Sequence, residues 1–332
     1  MSPSQVPATF RGRGEERRAL PTVPEERQEL RDPAQYITDE GLRQAVDVAM
    51  ALGKPLLITG DPGTGKTQLA HRIAYEFSTS NPPDSALVFH TKTTSTASDL
   101  FYTYDNLRHF QDVQMQKPSI RVRDYIRFQA LGLAILRAED PNKSQQLLPK
   151  RFRVGAPTRT VVLLDEIDKA PRDLPNDILN EIEDLSFSIR ELDEELAQLG
   201  IEQPFRAART HAPVVVLTSN SERDLPDAFL RRCIFYYIPF PDKDRLIEIL
   251  KRRVPLSSFG PDMLANAVER FEEIRSRVKR KKPSTEELIS WVRVLDRLGI
   301  DPKNPKAGQA EALAFTYCTL VKSKEDLVDL SK

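Results

Sequence analysis

The segment Gly60-Asp61-Pro62-Gly63-Thr64-Gly65-Lys66-Thr67 constrains this chain more than any other stretch of it. It fits the pattern G-x-x-x-x-G-K-[ST] and stands between an apolar run, Leu56 to Thr59, and a helical pattern carrying Leu69, Ile73 and Phe77. Strand, glycine turn and helix in that order make a cradle for phosphate. The glycines let successive backbone N–H groups turn onto anionic oxygens, and the helix N-terminus adds a favourable potential. Lys66 has the reach for the β- and γ-phosphates of a nucleotide, and the Thr67 hydroxyl suits Mg²⁺. Gln68, next along, is grouped with the nucleotide-binding residues.

Such a turn predicts an α/β fold, and the remaining apolar runs agree. They are Ala86 to Phe89, Val161 to Leu164, Val214 to Leu217 and Ile234 to Ile238, separated by helical patterns. Short continuous apolar runs between helices are expected of a parallel sheet buried on both faces, here of five strands. Ahead of the first strand, Thr38 and Asp39 open a helix with Leu42, Ala45, Val46, Ala49 and Met50 on one face, ended by Gly53 and Pro55. Two crossovers, 91–160 and 169–213, exceed what one helix requires, and long excursions in a compact domain are usually functional. The second contains SFSIRELDEELAQLGIEQPF, a candidate hairpin or short helix.

Beyond Pro239 and Pro241 only helical spacing remains. One helix carries Leu246, Ile249 and Leu250; a second carries Leu264, Val268, Phe271, Ile274 and Val278; a third opens with a capping box, Ser284 and Glu287, and carries Leu288, Val292 and Leu295 before Gly299. The expected organisation is a solvated arm over 1–32, rich in Pro, Arg and Glu, a nucleotide-binding core over 33–240 and a helical lid over 241–332.

Composition narrows the partners. With 332 residues and 39 % hydrophobic there is room for two cores, and 49 basic against 49 acidic residues leave no overall field for nucleic acid or an anionic membrane. Cys233 and Cys318 form no Cys-x-x-Cys and the four histidines show no ligand spacing, which fits a reducing compartment. The first residues lack an apolar run and nothing approaches the roughly 18 apolar residues of a membrane helix, so the expected location is the cytoplasm.

Val161-Val162-Leu163-Leu164-Asp165-Glu166 puts two carboxylates at a strand's C-terminal end. They lie beside the phosphate cradle if the two strands are neighbours. Asp165 would then hold Mg²⁺ through water, and Glu166 would orient and deprotonate the attacking water. Asp168 and Lys169, which follow, read as solvated loop charges. Val216-Leu217-Thr218-Ser219-Asn220 ends the next strand on an amide able to hold that water. Leu225-Pro226-Asp227-Ala228-Phe229-Leu230-Arg231-Arg232-Cys233 closes a short helix on two arginines. A surface ion pair is the ordinary reading of those arginines; the sharper one is a cation delivered to a neighbouring subunit's γ-phosphate.

GDPGTGKT, VVLLDEID, VLTSN and LPDAFLRRC, in this order and followed by helices, resemble an AAA+ ATPase. DEGLRQAVDVAMALGKPLLITGDPGTGKT, TASDLFYTYDNLRHF and LPDAFLRRC resemble its MoxR branch, over about residues 33–300. The resemblance implies ATP and Mg²⁺ as ligands, Lys66 and Thr67 on phosphate and metal, and Asp165 and Glu166 as the Walker B pair. It also implies Asn220 as sensor 1 and Arg232, with Arg231 second, as the arginine finger. A homo-hexameric ring that remodels a client or adaptor protein, in some cases one with a von Willebrand factor A domain, is implied in the same way. One position departs: Lys282-Pro283-Ser284-Thr285-Glu286-Glu287 has acids where the family's sensor 2 arginine is expected, so that group is absent or replaced by a neighbour such as Lys282.

Other features have plainer readings. Arg275, Arg277, Lys279, Arg280, Lys281 and Lys282, after Glu272 and Glu273, fit a solvated helix face first and a phosphate or partner contact second. Trp291 reads as packing or part-exposed surface. Tyr102, Tyr104 and Phe110 beside Arg108 fit core or ring-interface packing better than base stacking. Two rival functions stay open at this level: a nucleic-acid motor or defence component related to McrB, and a nucleotide-gated switch with little turnover.

Overall fold

The computed structural model describes residues 32–78, 84–171, 174–220, 224–254 and 260–330. The N-terminal arm, apart from residue 32, lies outside the described residues. The chain packs as two units. One comprises Thr38–Gly60 and Gly65–Ile238; the other comprises Pro239–Lys332 together with Asp61–Thr64 and the segment up to Ile37.

In the first unit α1 (Glu40–Leu52) precedes β1 (Leu56–Gly60), α2 (Lys66–Glu76) and β2 (Leu87–His90). The first long crossover holds β3 (Tyr102–Tyr104), α3 (Asn106–Gln114), β4 (Ile126–Phe128), α4 (Ala130–Ala138) and α5 (Pro141–Ser144). After β5 (Val161–Asp165) come α6 (Leu174–Asp184), β6 (Ser186–Phe187), α7 (Asp193–Gln198) and β7 (Phe205–Arg206), then β8 (Val214–Ser219), α8 (Asp227–Leu230) and β9 (Ile234–Ile238). Five strands form one parallel sheet in the order β2-β5-β8-β1-β9. Every residue of β1 and β5 is buried, as a sheet covered on both faces requires. The strands run on past their apolar residues, to Gly60, Asp165 and Ser219, because backbone pairing does not stop where the side chains turn polar.

The strand order corrects one condition of the sequence reading. β1 and β5 are not neighbours; β8 lies between them, with Leu163 level with Val216 and Leu57 level with Leu217. That register brings the ends of all three strands to one edge of the sheet, where parallel α/β sheets bind ligands.

α1 forms as its spacing predicts. Asp39 caps it by accepting from the Leu42 N–H at 2.8 Å, and Leu42, Val46 and Ala49 face inward. The two crossovers form antiparallel pairs, β3 with β4 and β6 with β7; the second contains both the hairpin and the short helix that were alternatives in the sequence. Phe187 joins the two crossovers, stacked on Phe101 at 5.0 Å and tilted against Phe205 at 5.8 Å, while the Tyr102 hydroxyl donates to Glu191 at 2.8 Å. Tyr102 and Tyr104 are half-buried, whereas Phe110 is exposed and is no part of the core.

The second unit holds α9 (Lys243–Arg253), α10 (Pro261–Arg277), α11 (Thr285–Leu298), α12 (Ala310–Thr316) and α13 (Lys324–Leu330) around a separate core of Leu246, Leu264, Phe271, Trp291 and Leu295. The capping box is present on both sides, Ser284 with Glu287. Trp291 is fully buried and donates its indole N–H to Thr316 at 2.7 Å. The basic run divides. Arg277 and Lys279–Lys282 are exposed, but Arg275 is not on a solvated face: its side chain is 14 % exposed and pairs with Asp61 at 2.9 Å. No described helix is long and apolar enough to cross a membrane.

Candidate active site

The cradle begins where β1 ends. Gly60 has φ +147°, and a Cβ there would stand 2.5 Å from the Ile238 carbonyl oxygen of the adjacent strand, so the turn at this point admits only glycine. Further on, the Thr64 hydroxyl donates to the Asp61 carbonyl at 2.9 Å, and Pro62 and Gly63 are exposed at the tip. α2 starts at Lys66 with Gly65 at its N-cap and no side chain capping its first N–H groups, which leaves them to an anion. Lys66 is buried and donates its ammonium to the Gly60 carbonyl at 2.7 Å. Gln68 Oε1 is buried and has no hydrogen-bond partner among the described residues.

Thr67 and Asp165 are brought together although 98 positions separate them, with the hydroxyl donating to the carboxylate at 3.0 Å. These are hard oxygen donors of the kind Mg²⁺ prefers. Among the described residues no group of three or more His, Cys, Asp or Glu could hold a metal ion. Asp165 is buried, and its charge is met by three neighbours: Thr67, the Thr218 hydroxyl at 2.7 Å and His90 Nδ1 at 3.4 Å.

Glu166 turns out of the strand in the left-handed region, at φ +59°. A non-glycine residue held there is strained, and such strain persists where neighbours fix it. Here the fixing group is Thr218, whose oxygen accepts the Glu166 N–H at 2.9 Å while its own proton goes to Asp165. The Glu166 carboxylate has two partners, Lys169 at 2.5 Å and the Asn220 amide at 3.4 Å. Asp168 is 3 % exposed and accepts the Asn220 backbone N–H at 3.1 Å. The solvated reading is therefore corrected for Asp168, which anchors the end of β8; Lys169 keeps a side chain 40 % exposed and also holds the outer acid. A carboxylate aimed by a strained turn, beside an amide and next to a metal-suited pair, can take a proton from a water it orients.

Sequence reasoning gave no role to Thr218 or His90. The hydroxyl of Thr218, following four apolar residues of its strand and two positions before Asn220, was the available signal. Nothing in the sequence marked His90.

Arg231 and Arg232 are both exposed at the end of α8. Arg232 touches α6, donating to Asn180 at 3.2 Å and lying 3.6 Å from Glu183. Within the described chain its partners are these surface groups. Burial pushes the Cys233 thiol beside them up to about 12, so it is no nucleophile near neutral pH.

No curated protein matches this chain. Solved structures match in number, and among them is a RuvB variant of Thermotoga maritima, 17 % identical, with a TM-score of 0.45 over 87 % of this chain and 72 % of that one. A likeness that remote says nothing of function. The family of the AAA domain, dynein-related subfamily, matches residues 55–233, the span from the foot of β1 to the residue before β9 and more than half of the 332 residues. With its phosphate cradle, its acids on β5 and its polar end on β8, the chain belongs to that AAA family.

Proposed function

We propose that this protein is a Mg²⁺-dependent ATPase of the AAA+ type, working as an oligomer in which each site is completed by the next copy. The observation that carries the reading is the meeting of Thr67, Asp165, Glu166 and Asn220 at the ends of β5 and β8 and the start of α2. Backbone N–H groups at the start of α2 and the Lys66 ammonium bind the phosphates, Lys66 leaving the Gly60 carbonyl for them. Mg²⁺, held through Thr67 and Asp165, supplies neutralisation of charge on the phosphate oxygens. Glu166 takes the proton of the attacking water, and Asn220 fixes that water and the Glu166 carboxylate in one orientation. Arg232, with Arg231 second, supplies a cation to the γ-phosphate of a neighbouring copy; exposure of both supports a role outside their own chain. The output, in this reading, is remodelling of a client or adaptor protein, as in MoxR-like ATPases, with a von Willebrand factor A domain as a candidate partner module.

Steady-state ATP hydrolysis over a protein concentration series tests both halves. Turnover per chain that rises with concentration, falls to background in Arg232→Ala alone, and partly returns when Arg232→Ala is mixed with the base-deficient Glu166→Gln chain supports a site shared between copies. Concentration-independent turnover with full activity in Arg232→Ala contradicts it.

A further inference from the structure

Arg275, at the C-terminal end of α10, is the residue whose setting differs most from its sequence reading. Its guanidinium has three partners. One Nη donates to the Asp61 carboxylate at 2.9 Å, the other donates to the Pro283 carbonyl, and the plane lies 3.6 Å from the centroid of the Phe240 ring. A planar fork can bond in two directions while stacking on an aromatic face; an ammonium cannot. Asp61 is the only one of the three that belongs to the phosphate loop.

The same stretch of loop is held at a second point. Gly63 has φ +78°, and a Cβ there would come within 2.5 Å of the Cβ of Ser284, the N-cap of α11. Asp61 also opens the turn that Thr64 closes on its carbonyl. Asp61–Thr64 thus packs in one unit with α10 and α11, fixed by an ion pair at its first residue and by close contact at its third. Lys282, the neighbour considered in place of the missing sensor 2 arginine, is exposed; the cation paired with the loop is Arg275.

We infer that Arg275 is a positioning residue for nucleotide binding, acting through Asp61 to hold the phosphate loop in its binding shape. The inference rests on the ATP reading above. It concerns affinity, because the group orders the loop before nucleotide arrives and touches none of Glu166, Asn220 or Thr67 in the described contacts. Without Arg275, the loop must be ordered at the expense of binding energy.

The test uses the full chain, Mg²⁺ and ATP, with Kd from titration calorimetry and KM and kcat from hydrolysis. Arg275→Gln and Asp61→Asn are each expected to weaken binding about tenfold, by a similar factor. The double variant is expected to be no weaker than either single, since both remove one contact. In Arg275→Gln, KM should rise with Kd while kcat stays within about twofold. Arg275→Lys keeps the charge but not the fork and should lose about threefold or more in affinity. Wild-type affinity in both Arg275→Lys and Asp61→Asn overturns the inference, whether or not Arg275→Gln folds. So does a double variant whose loss is the product of the singles, or an Arg275→Gln effect on kcat with KM unchanged. A wild-type chain that binds no ATP overturns the ATP reading instead.

Discussion

The phosphate loop and the acid end of β5 serve one site but are built in opposite ways. From Gly60 to Thr67 the chemistry is contiguous: the glycines, the lysine and the hydroxyl follow one another, and the helix start they need comes directly after. At β5 the two acids are adjacent, yet everything that aims them comes from elsewhere. Thr218 arrives on β8 and Asn220 just past its end, His90 on β2 and Lys169 from the next turn. A contiguous site is written in the sequence; an assembled one depends on which strands become neighbours. On the proposed reading the first would hold nucleotide and the second would break it.

That division can be broken experimentally. The largest effect is expected from Glu166→Gln, which keeps the turn and loses the base. Turnover should fall by about 10²–10⁴, with ATP affinity kept within a few fold in a binding titration. Loss of affinity alone would place Glu166 in binding and erase the contrast.

Lys66→Ala strikes the other half. Losing one charge-assisted contact to phosphate should weaken ATP binding by about a hundredfold. Saturating nucleotide should then restore part of the turnover if the acid end is independently built, and none if the two halves are one.

Thr218→Val comes next. It removes a hydroxyl that serves both acids and leaves the Glu166 N–H and one Asp165 oxygen without that partner. An unmade buried bond costs about 1–3 kcal/mol, so kcat should drop roughly tenfold or more while ATP affinity changes less. A variant with wild-type kcat would show that the strained turn at Glu166 holds itself.

The smallest effect lies in the helical unit, remote from this contrast. Bonds from Lys243, and then from Lys303, hold the Glu269 carboxylate at about 2, below its ordinary 4.5. A depressed folded-state value stabilises above the ordinary value and is lost as pH falls from 4.5 towards 2. Melting temperatures measured across that window should decline less steeply in Glu269→Gln than in the wild type.

How much was legible follows the same line. The cradle, the acids, Asn220 and the five strands were readable because each is carried by a local pattern: glycine spacing, an apolar run, a polar residue ending it. The strand order was not, since alternation of strand and helix leaves it open, and with it went Thr218 as the link between the acids. Arg275 was misread for a related reason. Charges after Glu272 and Glu273 look like a solvated face, and only the approach of Asp61, more than two hundred positions earlier, removes one of them from water. Asp168 looked like a solvated loop charge until the end of β8 supplied its partner. Local sequence encodes the groups; long-range packing decides which of them are used.

The most direct measurement is a structure of the full chain with Mg²⁺ and a non-hydrolysable ATP analogue. The account predicts the triphosphate on residues 60–67, with the Lys66 ammonium on its phosphate oxygens rather than on the Gly60 carbonyl. It further predicts the metal beside Thr67 and Asp165, and Glu166 and Asn220 facing the terminal phosphate. Nucleotide bound elsewhere, or bound in the loop with the metal and both acids apart from it, would contradict the account.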